Sequence, residues 1–280
     1  MMTAVSPELD EFPSVWAHAV NSVEKLMAAM SDQAITSIEC DVMMSEPTVP
    51  NLEDGVPILS HPPFRQGDLT LGKLLDTVTE PTEDGTRNLI TKHLKLDFKE
   101  IQALKPSLQL LQKMEIYNPY QKVVILNADI LPGPGKRALD PTVMVPADEF
   151  VTCCLNYIEM ETSHPDKAAK FAFSLGYRCD YTNTDGYLAS DAVAMKDIVE
   201  QYQLHSKQHV TITLALNARL LARNMSAFDS FLEDYATSNV LAWTGSGEPP
   251  IPLEEMHAIK TYYVSKGMVD RIEFDCCIEK

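Results

Sequence analysis

The chain has 280 residues, 45% of them hydrophobic and 22% charged, with a net charge of −17. That balance is ordinary for a packed globular protein, and a chain of this length can bury most of its apolar surface without staples. The acidic excess argues against a bulk nucleic-acid or anionic-membrane coat, though it leaves room for a small basic pocket holding one phosphate.

In chain order, β-branched runs alternate with helical patterns. Strands are predicted over 14–20, 35–43, 93–99, 121–129, 170–176, 209–218, 239–244 and 269–276. Helices are predicted over 21–31, 70–78, 106–115, 146–159, 187–203, 226–237 and 252–266. Strands and helices in turn imply right-handed βαβ units and a parallel sheet. Eight strands in this length fit an α/β fold of the closed (β/α)8 TIM type, taken as a single domain over 14–280 with an N-terminal extension over 1–13. Residues 44–69 carry Pro47, Pro50, Pro57, Pro62 and Pro63, and read as an inserted loop with a short strand pair after strand two. A second loop, at 131–141, follows strand four. Long loops at the C-terminal ends of barrel strands are where such proteins carry their sites.

No stretch approaches the ~18 apolar residues of a membrane helix, and the N-terminus lacks the pattern of a secretory leader. The expectation is a cytoplasmic protein, or an extracellular one if a leader precedes this sequence. Cys40, Cys153, Cys154, Cys179, Cys276 and Cys277 form no CxxC pair, so a zinc ribbon is rejected and reduced thiols are expected. Gly133 and Gly135 precede Lys136 without phosphate-loop spacing, and GxSxG, HExxH and GxGxxG are absent.

The strands have an unusual second face. Side chains alternate along a strand, and here polar residues recur at every other position. They are Glu39 and Asp41; Lys95, Asp97 and Lys99; Asn127 and Asp129; Thr211, Thr213, Asn217 and Arg219; and Arg271, Glu273 and Asp275. One such strand would ordinarily face solvent. Five of them in a sheet covered by helices place charge in a lumen, where it must be neutralised, bind a metal or contact a ligand.

Glu39, Asp41 and Asp97 put three carboxylates near neighbouring strand ends, a donor set for a hard divalent cation, Mg2+ ahead of Ca2+. His18 ends strand one and His61 ends the inserted strand, and two imidazoles beside a metal-bound phosphate suit general acid and base. Lys99 would stabilise charge developing on a phosphoryl oxygen. Lys95, Asn127, Asp129, Arg219 and Trp243 are the candidate substrate-binding residues, Arg219 as a second anion clamp and Trp243 as a packing surface. The bland alternatives are ion pairs between the carboxylates and Lys95, Lys99 or Arg219, and a core role for Trp243. His93, His164, His205, His209 and His257 take ordinary structural roles.

The order His, Glu-x-Asp, His, Asp-x-Lys at strand ends resembles the phospholipase-C-like phosphodiesterase barrels, which include the glycerophosphodiester phosphodiesterases and the sphingomyelinase D group. WAHAVNS (16–22), IECDVMM (38–44), PILSHPP (57–63), LKLDFK (94–99) and LNADILPGPG (126–135) look like the menorin family of that superfamily. The superfamily resemblance implies metal ligation by Glu39, Asp41 and Asp97, acid–base or nucleophilic roles for His18 and His61, and electrostatic stabilisation by Lys99. Ala19 and Pro62 depart from the Arg and Asp that follow the two histidines in glycerophosphodiesterases. The resemblance further implies protein partners in neuronal or cell-surface organisation, or a part in photoreceptor maintenance. Two main functions follow: a metal-dependent phosphodiesterase acting on a small diester or lipid headgroup, hydrolytic or cyclising, and a catalytically weak or inactive barrel serving as a binding scaffold. A third, a phosphodiesterase acting on a nucleic-acid strand end, is disfavoured by the −17 charge.

Overall fold

The computed structural model describes residues 15–46, 55–81, 88–113, 116–117, 123–140, 144–162, 170–207, 210–245 and 247–277. The 1–13 extension, His164, His209 and parts of several predicted elements lie outside these residues. Eight parallel strands make one sheet. They are β1 (Trp16–Ala17), β2 (Ser37–Met44), β6 (His93–Phe98), β8 (Val123–Pro132), β9 (Lys170–Arg178), β10 (Val210–Asn217), β11 (Asn239–Trp243) and β12 (Ile272–Asp275), neighbours in that order. β12 returns to lie beside β1, so the sheet is a nearly closed barrel of the TIM type, as the alternation of strands and helices predicts.

Helices α1 (Val23–Ser31), α2 (Leu71–Val78), α3 (Leu104–Lys113), α4 (Ala147–Thr162), α5 (Ala189–Gln201), α6 (Ala218–Arg223), α7 (Asp229–Asp234) and α8 (Leu253–Ser265) connect the strands. The apolar strand face packs beneath them: Ile38, Cys40 and Val42, then Leu94, Leu96 and Phe98, then Val124, Leu126 and Ala128 are all buried. Each large side chain buried this way contributes roughly 1.5–3 kcal/mol before entropy is counted. In α2, Leu71, Leu74, Leu75 and Val78 are buried at helical spacing, and the Thr70 side chain caps its first turn by accepting from the Lys73 N–H.

Several boundaries differ from the sequence reading. β1 is two residues long because Ala19 adopts a left-handed φ of 52° and turns the chain away just after His18. β8 runs on to Pro132, and β9 runs past Gly176 to Arg178. The predicted start of strand eight, Val269–Arg271, is a 3-10 turn, with Arg271 donating to the carbonyls of Leu232, Tyr235 and Ser238. The insertion contributes β3 (Pro57–Leu59), which pairs antiparallel with Val42–Met44 of β2. A three-stranded sheet that the sequence reading did not foresee joins β4 (Thr79–Pro81), β5 (Asn88–Ile90) and β7 (Ile116–Tyr117). Two- and three-residue strands leave no alternation to read. No helix of the described residues is long and apolar enough to cross a membrane.

Candidate active site at the barrel mouth

Register brings the carboxylates together. β2 and β6 are parallel with Asp41 opposite Asp97 and Glu39 opposite Lys95, and β8 sets Asn127 beside Asp97. Residues opposite one another on parallel strands share a face, so these side chains enter the lumen in two layers. Oxygens of Glu39, Asp41 and Asp97, one from each, lie within 4.8 Å of one another.

Each carboxylate is held from the side. Glu39 Oε2 accepts from the Ala19 N–H at 2.7 Å. Asn21 donates to Asp41 Oδ2 at 2.6 Å, and its own Oδ1 accepts from the Asp41 N–H at 3.0 Å. Asn127 donates to Asp97 Oδ1 at 2.7 Å. The Lys99 ammonium bridges Asp97 Oδ2 at 2.6 Å and Asp41 Oδ1 at 2.9 Å.

His18, one residue past β1, meets Asp275 at the end of β12: Nδ1 to Oδ2 is 3.0 Å, and Glu39 Oε2 is 3.6 Å from the same nitrogen. Lys95 is buried below, its ammonium 4.0 Å from the same Asp275 oxygen. His61 arrives from the insertion. The Ser60 N–H donates to the Asp41 carbonyl at 3.0 Å, and His61 Nδ1 donates to the Pro62 carbonyl at 2.7 Å. Arg65 then ties the turn to both carboxylate oxygens of Glu100.

A cavity of about 270 Å³ opens among these groups. Its lining includes His18, Glu39, Asp41, His61, Lys95, Asp97, Lys99, Asn127, Asp129 and Trp243. Arg219 is not in the lining. β10 ends at Asn217, whose side chain caps α6 by accepting from the Leu220 N–H, so the strand alternation stops before residue 219. Arg219 instead donates to the carbonyls of Pro249 and Pro250 and holds the loop after β11. The cavity also contains Arg178 and Cys179, and depends on Asp275 and Asn21, none of which the sequence reading placed in the site. Asp275 lay on a recognised polar face, but its partner sits at the other end of the chain. Arg178 was hidden because Gly176 read as the end of its strand.

Burial and crowding set the protonation of the site. Burial raises Glu39, His18 opposes the rise, and Asp41 adds to it, leaving Glu39 at about 7. Burial lowers His18, but Asp275 and Glu39 outweigh it and raise the imidazole to about 9. Burial raises Asp97, yet Lys99 and Lys95 hold it below the usual carboxylate range. Burial disfavours the Lys99 charge, while Asp97 and Asp41 keep it protonated well above the usual lysine range.

The donor set fits a divalent cation. Three converging carboxylates, one of them with a raised proton affinity, are what a hard cation would relieve. The buried Asn127 Oδ1, with no hydrogen-bond partner, leaves one more oxygen next to Asp97.

A parallel eight-stranded barrel with an acidic trio at its mouth defines a TIM-type barrel protein with a candidate cation site. The model of the Menorin N-terminal domain matches residues 11–271, and the chain belongs to that family. It is 24% identical over 251 residues to the human protein FAM151B, a match covering 90% of this chain and 79% of that protein. Among solved structures it is similar to the HMG-CoA lyase from Brucella melitensis, at 12% identity and a TM-score of 0.46, covering 94% of this chain and 80% of the lyase chain.

Proposed function

We propose that the mouth is the active site of a cation-dependent phosphodiesterase. The observation that carries this reading is the convergence of Glu39, Asp41 and Asp97 within 4.8 Å in one cavity that also contains His18 and His61. The trio would hold the cation, Mg2+ in preference to Ca2+ because the donors are few and closely grouped. A bound cation supplies positive charge that polarises a phosphoryl oxygen.

The two imidazoles divide the proton work. His61 donates its Nδ1–H to the Pro62 carbonyl, so Nε2 is the nitrogen that accepts a proton, from water or from a hydroxyl of the substrate. His18, its Nδ1–H donated to Asp275 and its proton affinity raised by that carboxylate, gives a proton from Nε2 to the departing alkoxide. The new P–O bond forms as the old one breaks, one proton entering His61 and one leaving His18. Attack by water gives a monoester, and attack by an internal hydroxyl gives a cyclic phosphate. Lys99 adds charge beside the phosphoryl oxygens.

His18→Ala and His61→Ala are each expected to lower diester turnover by ~10²–10⁴-fold while the protein stays folded. Assays with lysophospholipids, glycerophosphodiesters and nucleotide diesters in Mg2+ test this. Undiminished turnover in either variant would remove the acid–base assignment.

The second reading is a binding scaffold. It is favoured by the Lys99 bridge, which already neutralises Asp41 and Asp97 without a cation. Inactivity across the same substrates, together with a tight protein partner mapped away from the mouth, would select it. We propose a cytoplasmic location, or an extracellular one if a leader precedes this sequence; the former is supported by cysteine spacing that forms no CxxC pair.

A further inference from the structure

Four strands round the ring from His18, the cavity has a raised wall. β8 and β9 stay paired beyond the layer that contains Asn127, as far as Pro132 opposite Arg178. The register shifts between Asp129 and Leu131, a bulge of the kind that re-aims side chains beside active sites. Arg178 is fixed at its backbone, its carbonyl accepting from the Gly133 N–H at 2.8 Å.

Two charges stand on this wall. Asp129 Oδ1 lies over the Gly176 Cα, where any Cβ would collide with it, so the glycine makes room for the carboxylate. Arg178 lines the same cavity with an exposed side chain. Neither side chain makes a hydrogen bond or a close ion pair with a described residue; burial and Asp97 raise the Asp129 carboxyl, while Lys99, Lys95 and Arg178 favour its charged form from a distance. The other lysine and arginine neighbours differ: Lys99 and Arg65 are bound to carboxylates, and Lys95 is buried beside Asp275. A carboxylate and a guanidinium that face one cavity without pairing match a ligand bearing both complementary charges. The carboxylate takes an ammonium, and the planar guanidinium takes a carboxylate in a two-point contact. The cavity's 270 Å³ suits a headgroup and phosphate and leaves any acyl chain outside.

We propose that Asp129 and Arg178 form a headgroup subsite for an alcohol carrying both an ammonium and a carboxylate, so that the selected diester is a phosphoserine-type ester. This rests on the phosphodiester reading of the same mouth. The probes are hexanoyl lysophospholipids with serine, ethanolamine or choline headgroups, titrated calorimetrically into the full chain with Mg2+ at pH 7. The serine ester is expected to bind at least about tenfold more tightly than the ethanolamine ester, the factor one charge-assisted contact supplies. Arg178→Gln should erase that preference, and Asp129→Asn should weaken both amine-bearing esters. Because Arg178 is exposed, its variant is expected to melt like the parent, and Arg178→Lys, which keeps charge without the fork, should recover only part of the preference. Equal affinity for the three esters, no binding of any, or a preference that survives Arg178→Gln would each overturn the subsite. Diester cleavage is followed in the same samples. Selective binding without cleavage sinks the catalytic reading and leaves the subsite, and cleavage without headgroup preference does the reverse.

Discussion

His18 shows how a single side chain gathers charge from two strands. Its imidazole is 28% exposed, yet it faces two carboxylates from different strands. Folding raises its pKa from 6.5 to about 9, so its stabilising contribution is complete below 6.5 and is lost as pH rises through 9. Glu39 rises from 4.5 to about 7, so its contribution is complete below 4.5 and is lost through 7. Both slopes have the same sign. The metal-free protein is therefore expected to lose stability between about pH 5 and pH 9, on the order of a few kcal/mol. Thermal melts at fixed ionic strength would show it. Asp275→Asn should flatten the upper part of that fall and bring the His18 titration, followed by NMR, toward 6.5. A His18 titration that stays near 9 in the variant would mean Asp275 is not what holds the proton.

At the scale of elements, the inserted segment decides where the second imidazole stands. β3 pairs with the end of β2, and Ser60 then bonds both to the Asp41 carbonyl and, through its hydroxyl, to the Phe64 carbonyl at 2.6 Å. Arg65 clamps the turn to Glu100, which also accepts the Met44 N–H at 2.7 Å. Glu100 thus ties the insertion to the ends of β2 and β6. Glu100→Ala should cost about 1–2 kcal/mol of global stability, because Arg65 is partly screened by solvent. Its larger expected effect is local: faster hydrogen exchange at Met44 and over residues 60–66, with the rest of the barrel unchanged. Protection that survives the substitution would show that β3 alone holds the turn. Sequence patterning located this insertion and its histidine, but the clamp joins residues 35 positions apart and leaves no periodic trace.

For the whole molecule, closing the barrel and assembling the site are linked. β1 is too short to supply a long ladder, and no pairing between β1 and β12 occurs among the described residues. The His18–Asp275 hydrogen bond spans that seam at the mouth. A cation bound by the trio acts on the native state alone, so Mg2+ at a hundredfold over its dissociation constant should add about 2.7 kcal/mol. In a chain of this size that raises the Tm by several degrees. Asp97→Asn should abolish the rise; because it also gives up the Lys99 ion pair, its Tm without Mg2+ is expected below the parent's, and the Mg2+ increment over that baseline is what is read. A Tm that ignores Mg2+, or an equal rise in Asp97→Asn, would remove the trio as the cation site.

Local pattern was enough for the architecture. Period-two alternation and helical spacing are written in neighbouring residues, so the eight strands, the barrel and the polar lumen positions Glu39, Asp41, Lys95, Asp97, Asn127 and Asp129 could all be read in order. Strand ends were harder, because they depend on single backbone turns such as that at Ala19, or on a cap such as Asn217 that sends Arg219 out of the cavity. The partnership of His18 with Asp275, 257 positions away, and the wall that joins Asp129 to Arg178 were settled only by tertiary structure. Register and ring closure bring such residues together, and neither is encoded in any short stretch of chain.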